Sequence, residues 1–361
     1  MGSVIGGAGR SGEAGRRVET GGGFGVESGG EPVGSISELN LYPVKSMKGI
    51  TVPSWPVGET GLVGDRRWMV VDAAGRQVTQ RELPRLCLIA PALNAPALNA
   101  PAVSAPAVSG PAGIAHDAAA WELTLAAPGA GCVDVAASYD GAPTRVRVWD
   151  DEVDAVGAEP EVDLWLSEVL ERKVRLVRFA AAASVADRVW QRVAFPDSLP
   201  FLLIGQASLD DLNLRLQAGG ESPVEMNRFR PNLVVSGSAP FAEDGWRRIS
   251  IGDLGFEVRK ACGRCVITTV DQATAAVGRE PLKTLATYRT SYDNTQDNKV
   301  MFGQKLVHDR ERALGTELRV GATVRLHEAV PAGEGLRFEA PPLRGSRVRQ
   351  PRVQELQELK P

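Results

Sequence analysis

Two of the four cysteines in this chain of 361 residues are spaced Cys262-Gly-Arg-Cys265. A lone Cys-x-x-Cys leaves several chemistries open. A structural zinc needs four ligands, and neither Cys87, Cys132 nor the three histidines supply a companion pair. A thioredoxin-type pair sits where a strand enters a helix, whereas the β-branched run from Val266 to Val270 reads as another strand. Two buried structural cysteines are the plain alternative. Lys260 and Arg264 flank the pair, and positive neighbours favour the thiolate that soft-metal ligation or nucleophilic attack requires.

Two basic clusters accompany the thiols. In LYPVKSMKG, residues 41–49, Lys45, Ser46 and Lys48 crowd a turn that ends at Gly49. Ammonium, hydroxyl and backbone N–H groups there can cradle an anion, although the upstream glycines of a Walker loop are missing. In RFRPN, residues 228–232, Pro231 biases Arg230 toward an extended backbone and so fixes where its guanidinium leaves the chain. Guanidinium groups suit phosphates and polar heterocycles, and Asn232 adds a donor–acceptor amide. A solvated basic turn and a surface salt bridge are the plain alternatives for these two clusters.

The elements that must hold these residues are short strands. SISELNLYPV, RRWMVVDAAG, TRVRVW, NLVVSG, RRISIGD, GFEVRKA and CVITTV have the alternation and β-branched content of half-buried strands. Helices are fewer. Residues 160–172 place Val162, Trp165, Val169 and Leu170 on one face. Ser208 and Asp211 form a capping-box pattern ahead of a Leu209, Leu212, Leu216 stripe, and Gly219-Gly220 ends that helix. Pro281 opens a third, with Leu282, Leu285 and Tyr288. Strand and helix do not alternate regularly, which argues for a β-rich α+β fold over a doubly wound sheet.

Glycine (39) and proline (24) mark the segments outside that fold. Residues 1–34 are glycine-rich with almost no apolar clusters and read as a flexible tail. Arg16-Arg17 is followed by no apolar stretch, so export is not expected and a cytoplasmic location is. Residues 90–113 repeat as APALN, APALN, APAVS, APAVS, GPAG. Proline at every fifth position forbids a membrane-spanning helix, so this uncharged run reads as a polyproline or disordered spacer. The strand-like segments LCLIA and WELTLAA on either side make it an expanded hairpin loop. The expected organisation is a β domain over 35–155 carrying that insert, a helical connector over 156–185, a mixed β domain over 186–330 and a polar tail over 331–361. Hydrophobic (43%) and charged (24%) fractions are those of a globular chain, long enough to build its core without disulfides. A net charge of −3 gives no overall attraction to nucleic acid or anionic membrane. Four cysteines are too few for a disulfide scaffold or a large all-thiolate cluster.

LYPVKSMKG, GDRRWMVVD, PFLLIGQASLDDLN, RFRPNLVVSG, ACGRCVITTVDQATA, EPLKTLATYR and FGQ follow one another in that order. Over about residues 35–330 this set resembles the MOSC proteins that carry an N-terminal MOSC β-barrel domain, most closely the amidoxime-reducing (mARC-like) branch. The resemblance implies an N-terminal MOSC β-barrel-like domain followed by a MOSC domain with a β-barrel core and peripheral helices. It implies a molybdenum cofactor, one molybdenum held by a pterin dithiolene and by one protein thiolate, here Cys265, with Cys262 a neighbour. The matching cofactor contacts are Lys45, Ser46, Arg66, Ser198, Arg230, Asn232 and Arg264. Asp271 carries over as a proton relay or orienting group, with a turn carboxylate as the alternative. Leu199 and Gly263 stand where close members carry hydroxyl side chains, so those contacts would be backbone or absent. The glycine-rich tail differs from the membrane anchor of the animal members. No cysteine follows Cys265, which points to electrons from a separate ferredoxin, flavoprotein or cytochrome b5-like donor. The implied activity is reduction of N-hydroxylated substrates: amidoximes, N-hydroxylated bases or hydroxamic acids. The rivals are a carrier of the cofactor or its sulfur without turnover, and a cysteine-persulfide sulfurtransferase.

Overall fold

The computed structural model describes residues 29–94, 122–136, 139, 141–149, 151–180, 195, 199–291 and 299–331. Seven strands close a barrel: β1 (Glu31–Leu41), β2 (Phe201–Gly205), β3 (Leu233–Ser236), β4 (Trp246–Ile251), β5 (Leu254–Gly263), β6 (Met301–His308) and β7 (Thr323–Ala329). Their order is β3-β2-β6-β5-β4-β7-β1, and β1 pairs back onto β3 through Ile36↔Val235 and Leu39↔Leu233. Only β2 and β3 run parallel, with Leu203 opposite Leu233. Alternation sends Ile36, Phe201, Leu203, Leu233, Val235, Ile249, Phe256 and Leu306 into one buried core. Phe201 and Phe256 meet edge to face there, with centroids 5.2 Å apart. The run Phe201-Leu-Leu-Ile204 is apolar throughout because β2 is covered on both sides. Leu202 and Ile204 face outward and pack under helix α2 (Gln206–Ala218) with Leu209, Leu212, Leu216, Phe229 and Phe302.

A second module lies between β1 and β2 in the chain. Its four-stranded sheet has the order Trp68–Val71, Arg175–Phe179, Asp151–Gly157, Pro143–Val148. Val70 and Leu176 on one face join a core with helix α1 (Pro160–Leu170) and with Leu123 and Leu125. Met69, Val71, Val177 and Phe179 on the other face join a smaller core that includes Phe195. No helix among the described residues is long and apolar enough to cross a membrane.

Several local expectations change. β1 starts at Glu31, so the end of the expected tail is strand, and β1 belongs to the barrel of the second half instead of to a self-contained domain over 35–155. Alternation marks a strand but not its partners. In the described part of the expected helical connector, 156–180, α1 is followed by strand Arg175–Phe179, which pairs with Trp68–Val71. The segment expected as strand LCLIA is a 3-10 turn, Pro84–Leu88, because Pro84 pre-sets its first residue. The hairpin at the repeat is present, and its first strand is Ala90–Asn94 within the repeat itself, with Pro91 opposite Leu125. The rest of the repeat, most of the N-terminal tail and residues 332–361 lie outside the described residues. α2 begins at Gln206, and Ser208 is no cap: buried, it donates to the Glu243 carboxylate and accepts from Phe241 N at 2.8 Å. The third helix is one turn, Leu282–Leu285, and ends before Tyr288.

Candidate functional site

Where β1 leaves the barrel, Tyr42 to Met47 form a tight turn whose Lys45 N donates to Trp68 O at 2.8 Å. Ser46 holds φ +67°, Arg66 +46° and Arg230 +56°, three non-glycine residues in the left-handed region. Each such residue costs on the order of 1 kcal/mol or more and persists only where its surroundings over-determine it. Here they do. Arg66 N donates to Tyr42 O (2.7 Å), and the Arg66 guanidinium donates to Asn232 Oδ1 (2.9 Å) and Arg230 O (3.2 Å) and pairs with Asp65. Arg66 and Arg230 stack over the Tyr42 ring, 4.6 and 4.3 Å from its centroid. Burial pushes the Tyr42 phenol up to about 12 against the pull of both arginines. Arg230 is thus not extended, as Pro231 suggested. Its backbone bends so that its carbonyl reaches Arg66 and its guanidinium reaches Met47 O. Lys45 and Ser46 are buried, which removes the solvated-turn alternative, and Lys45 Nζ donates to Phe195 O at 2.9 Å.

Cys265 follows β5 at the barrel's end. The run after it is a 3-10 turn, Val266–Thr269, not a strand. Its threonines bond back to the chain: Thr268 Oγ1 donates to Cys265 O (3.0 Å) and Thr269 Oγ1 to Val266 O (2.8 Å). Arg264 donates from Nε to Phe302 O (2.7 Å) and from Nη1 to Phe229 O (3.0 Å). Its Nη2 is buried with no hydrogen-bond partner among the described residues. Cys262 is buried in the outer core, while Cys265 is partly exposed. The cation on the Cys265 sulfur is Arg81, whose Nη2 donates to Sγ at 3.1 Å. Lys260 and Arg264, the sequence neighbours, have other places.

These residues line one cleft of about 280 Å³. Among the described residues it gathers Lys45, Arg66, Arg81, Arg228, Arg230, Arg264 and Lys305 and no carboxylate, in a chain whose net charge is negative. Such a lining suits a compact polyanion. Among the described residues no three His, Cys, Asp or Glu side chains are grouped to hold a metal ion. A metal that brings its other ligands with it fits this lining. A pterin dithiolene bearing a phosphate meets those demands, with a soft thiol at one end, cations along the cleft and the open Arg264 donor.

The cleft brings together Cys265, Lys45, Ser46, Arg66, Arg230, Asn232 and Arg264. Ser198 lies outside the described residues, although Leu199 beside it lines the cleft. Asn232 is buried, accepting from Arg66 and Leu202 N and donating to Asn40 O. Its part is to hold Arg66. Asp271 is not in the cleft and lines a separate hollow with Glu221, Glu280 and Lys283. It accepts from Thr274 Oγ1 and from two backbone N–H groups and pairs with Arg228 at 2.8 Å. The Thr274 hydroxyl first, then those N–H groups and Arg228, hold its carboxyl below the usual carboxylate range. Its hydrogen bonds are those of a turn carboxylate. Sequence reasoning missed Arg81, Trp149, Thr79 and Lys305, all lining the cleft. No local pattern marks them, because the second module delivers Arg81, Trp149 and Thr79 from distant turns.

Residues 33–173 match the MOSC N-terminal beta barrel domain and residues 191–325 the MOSC domain. The chain is 32% identical over 294 residues to mitochondrial amidoxime-reducing component 1 of Homo sapiens, covering 77% of this chain and 79% of that protein. It is 34% identical over 282 residues to mitochondrial amidoxime reducing component 2 of Rattus norvegicus, covering 72% and 73%. It is 33% identical over 296 residues to the molybdenum cofactor sulfurase of Danio rerio, covering 77% of this chain and 32% of that longer protein.

Proposed function

As this chain belongs to the MOSC family, in the form that joins the MOSC N-terminal β-barrel domain to a MOSC domain, we propose that it is a molybdenum-cofactor-dependent oxidoreductase. It reduces N-hydroxylated compounds (amidoximes, N-hydroxylated bases or hydroxamic acids) with electrons from a separate donor protein. The observation that carries this reading is a partly exposed thiol at a cleft lined, among the described residues, by seven cations and no carboxylate. Cys265 would hold the metal. Lys45, Ser46, Arg66, Arg230 and Arg264 would hold the anionic pterin, and Asn232 would orient Arg66. When bound, the cofactor supplies two-electron chemistry at a metal centre. The chain keeps the three left-handed turns rigid, so that the cationic groups are in place before the cofactor arrives. The hydroxyls of Ser46, Thr79 and Thr268 are the lining groups suited to pass a proton. The donor is of the ferredoxin, flavoprotein or cytochrome b5 class.

The test is metal and pterin analysis of the purified protein beside Cys265→Ala, with viologen-coupled reduction of an amidoxime. Stoichiometric molybdenum and turnover in the wild type, both lost in Cys265→Ala, are expected. Protein without molybdenum, or a variant that keeps metal and activity, refutes the reading. The sulfurase relatives favour a second one, a carrier of the cofactor or its sulfur. A carrier binds molybdopterin and shows no steady-state reduction.

A further inference from the structure

We propose that Arg81 is the residue by which the module between β1 and β2 acts on the sulfur of Cys265. Its guanidinium keeps positive charge beside Sγ, and Trp149 together with the Gln80–Gln272 pair sets it there. The Nη2–Sγ separation is 3.1 Å, across 184 residues of sequence. The other arginines beside it are committed elsewhere: Arg66 and Arg230 to Tyr42, and Arg264 to the carbonyls of Phe302 and Phe229.

Two devices hold Arg81. Its guanidinium lies over the Trp149 indole, 4.5 Å from the ring centroid. Trp149 sits at a hairpin tip with φ +60°, a conformation a bulky residue seldom adopts, and remains 44% exposed. On the other side Gln80 and Gln272 bond each other reciprocally, Nε2 to Oε1 at 3.1 and 3.0 Å. Both are buried. Gln80 Nε2 also donates to Ser46 O (2.8 Å) and Gln272 Nε2 to Val270 O (3.1 Å). This clasp ties the turn that carries Arg81 to the loop that follows Cys265. A charge-assisted hydrogen bond to a sulfur stabilises negative charge on it. At a ligating sulfur it draws electron density from the metal and raises the reduction potential. That second consequence rests on the reading that Cys265 carries molybdenum, whereas the charge on the sulfur does not.

The test separates the two. In metal-free protein, Cys265 is alkylated at one fixed pH by iodoacetate and by iodoacetamide, and the modified peptide is quantified by mass spectrometry. The ratio of the two rates cancels the thiol's own reactivity and reports local charge. Arg81→Met is expected to lower the ratio about five-fold, the factor for one unit charge a few ångström away in a water-like medium. Arg81→Lys restores most of it. The double variant Gln80→Ala/Gln272→Ala lowers it while the charge remains in the chain, which a purely structural role of the clasp would not do. In loaded protein, Arg81→Met moves the metal's midpoint potential negative at unchanged molybdenum content. An unchanged ratio in Arg81→Met overturns the proposal. Should that variant not fold, an unchanged ratio in folded Gln80→Ala/Gln272→Ala overturns it. Wild-type protein without molybdenum overturns the proposed function and leaves the alkylation ratio to decide on Arg81.

Discussion

Replacing Gly303 with alanine tests how the barrel supports the site. Gly303 lies in β6 with φ +79°, and a Cβ built there meets Ile204 Cγ1 at 2.6 Å, Leu203 O at 2.8 Å and Arg264 Nη2 at 3.3 Å. The left-handed backbone alone costs alanine about 1–2 kcal/mol. Two contacts below 3.0 Å, one of them to strand backbone, force β6 away from β2 and add the about 1–3 kcal/mol of an overpacked core. The sum, about 2–5 kcal/mol, corresponds to a drop of about 4–20 °C in thermal midpoint for a unit of this size. Gly252 is the internal control. It has φ +57° and nothing within 4 Å of where a methyl group would stand, so Gly252→Ala carries the backbone cost without the clash. The site responds too, because Phe302 O, the neighbour of Gly303, accepts from Arg264 Nε at 2.7 Å. Molybdenum content is expected to fall in Gly303→Ala and to hold in Gly252→Ala. Differential scanning calorimetry and metal analysis read both effects. Equal midpoints and equal metal content in the two variants would refute the link between strand packing and Arg264.

Asp271→Asn is expected to leave the pH profile of turnover unchanged, since the carboxylate lies outside the cleft; a shifted acid limb would restore it as a proton relay. Its depressed folded pKa means that its contribution to stability is present above the unfolded carboxylate value and is lost as pH falls through the folded value. Chemical denaturation of both forms across the acid range reads this as a convergence of their stabilities at low pH. His308, buried beside Phe201 and Phe256, has its pKa brought down to about 4 by burial, against the acceptor Gly58 O at 2.9 Å. Between the ordinary 6.5 and about 4 the unfolded chain binds the extra proton, so stability falls as pH falls through that window, by on the order of 3 kcal/mol. A His308→Gln variant whose midpoint falls just as steeply would count against this. Asn232→Ala leaves Leu202 N and Asn40 O without this partner and removes one of the acceptors of Arg66 Nη1, a loss of about 1–3 kcal/mol for the orphaned groups. Urea unfolding together with molybdenum content checks it, and a variant that keeps full metal content would show that Arg66 needs no such support.

Much of the fold's local grammar was written in alternation. Trp68 to Val71 and Leu123 with Leu125 go where period-two patterning sends them, and Lys45, Arg228 and Arg230 of the two basic clusters converge on the cleft while Lys48 is exposed. What alternation lacks is the partner. β1 reads the same whether its neighbours come from residues 50–52, 233–236 or 323–329, and it uses all three. Side-chain hydrogen bonding defeats pattern in the same way: the β-branched run after Cys265 has strand propensity, and two threonine hydroxyls returning to backbone carbonyls turn it into a helix turn. The cation on the thiol shows why sequence neighbours mislead in a β protein. Lys260 is two residues from Cys262, but the register of β5 against β6 slips between Val258 and Lys260 and again between Ala261 and Gly263. Lys260 ends exposed while Cys262 is buried. Adjacent side chains on a strand face opposite ways, and bulges break the remaining parity, so charge beside a strand-end thiol has to come from another segment. In this chain it comes from Arg81, in a turn whose only sequence signals are the threonine and glutamine before it. The clasp that holds that turn becomes legible only when Gln80 and Gln272 are seen to face each other.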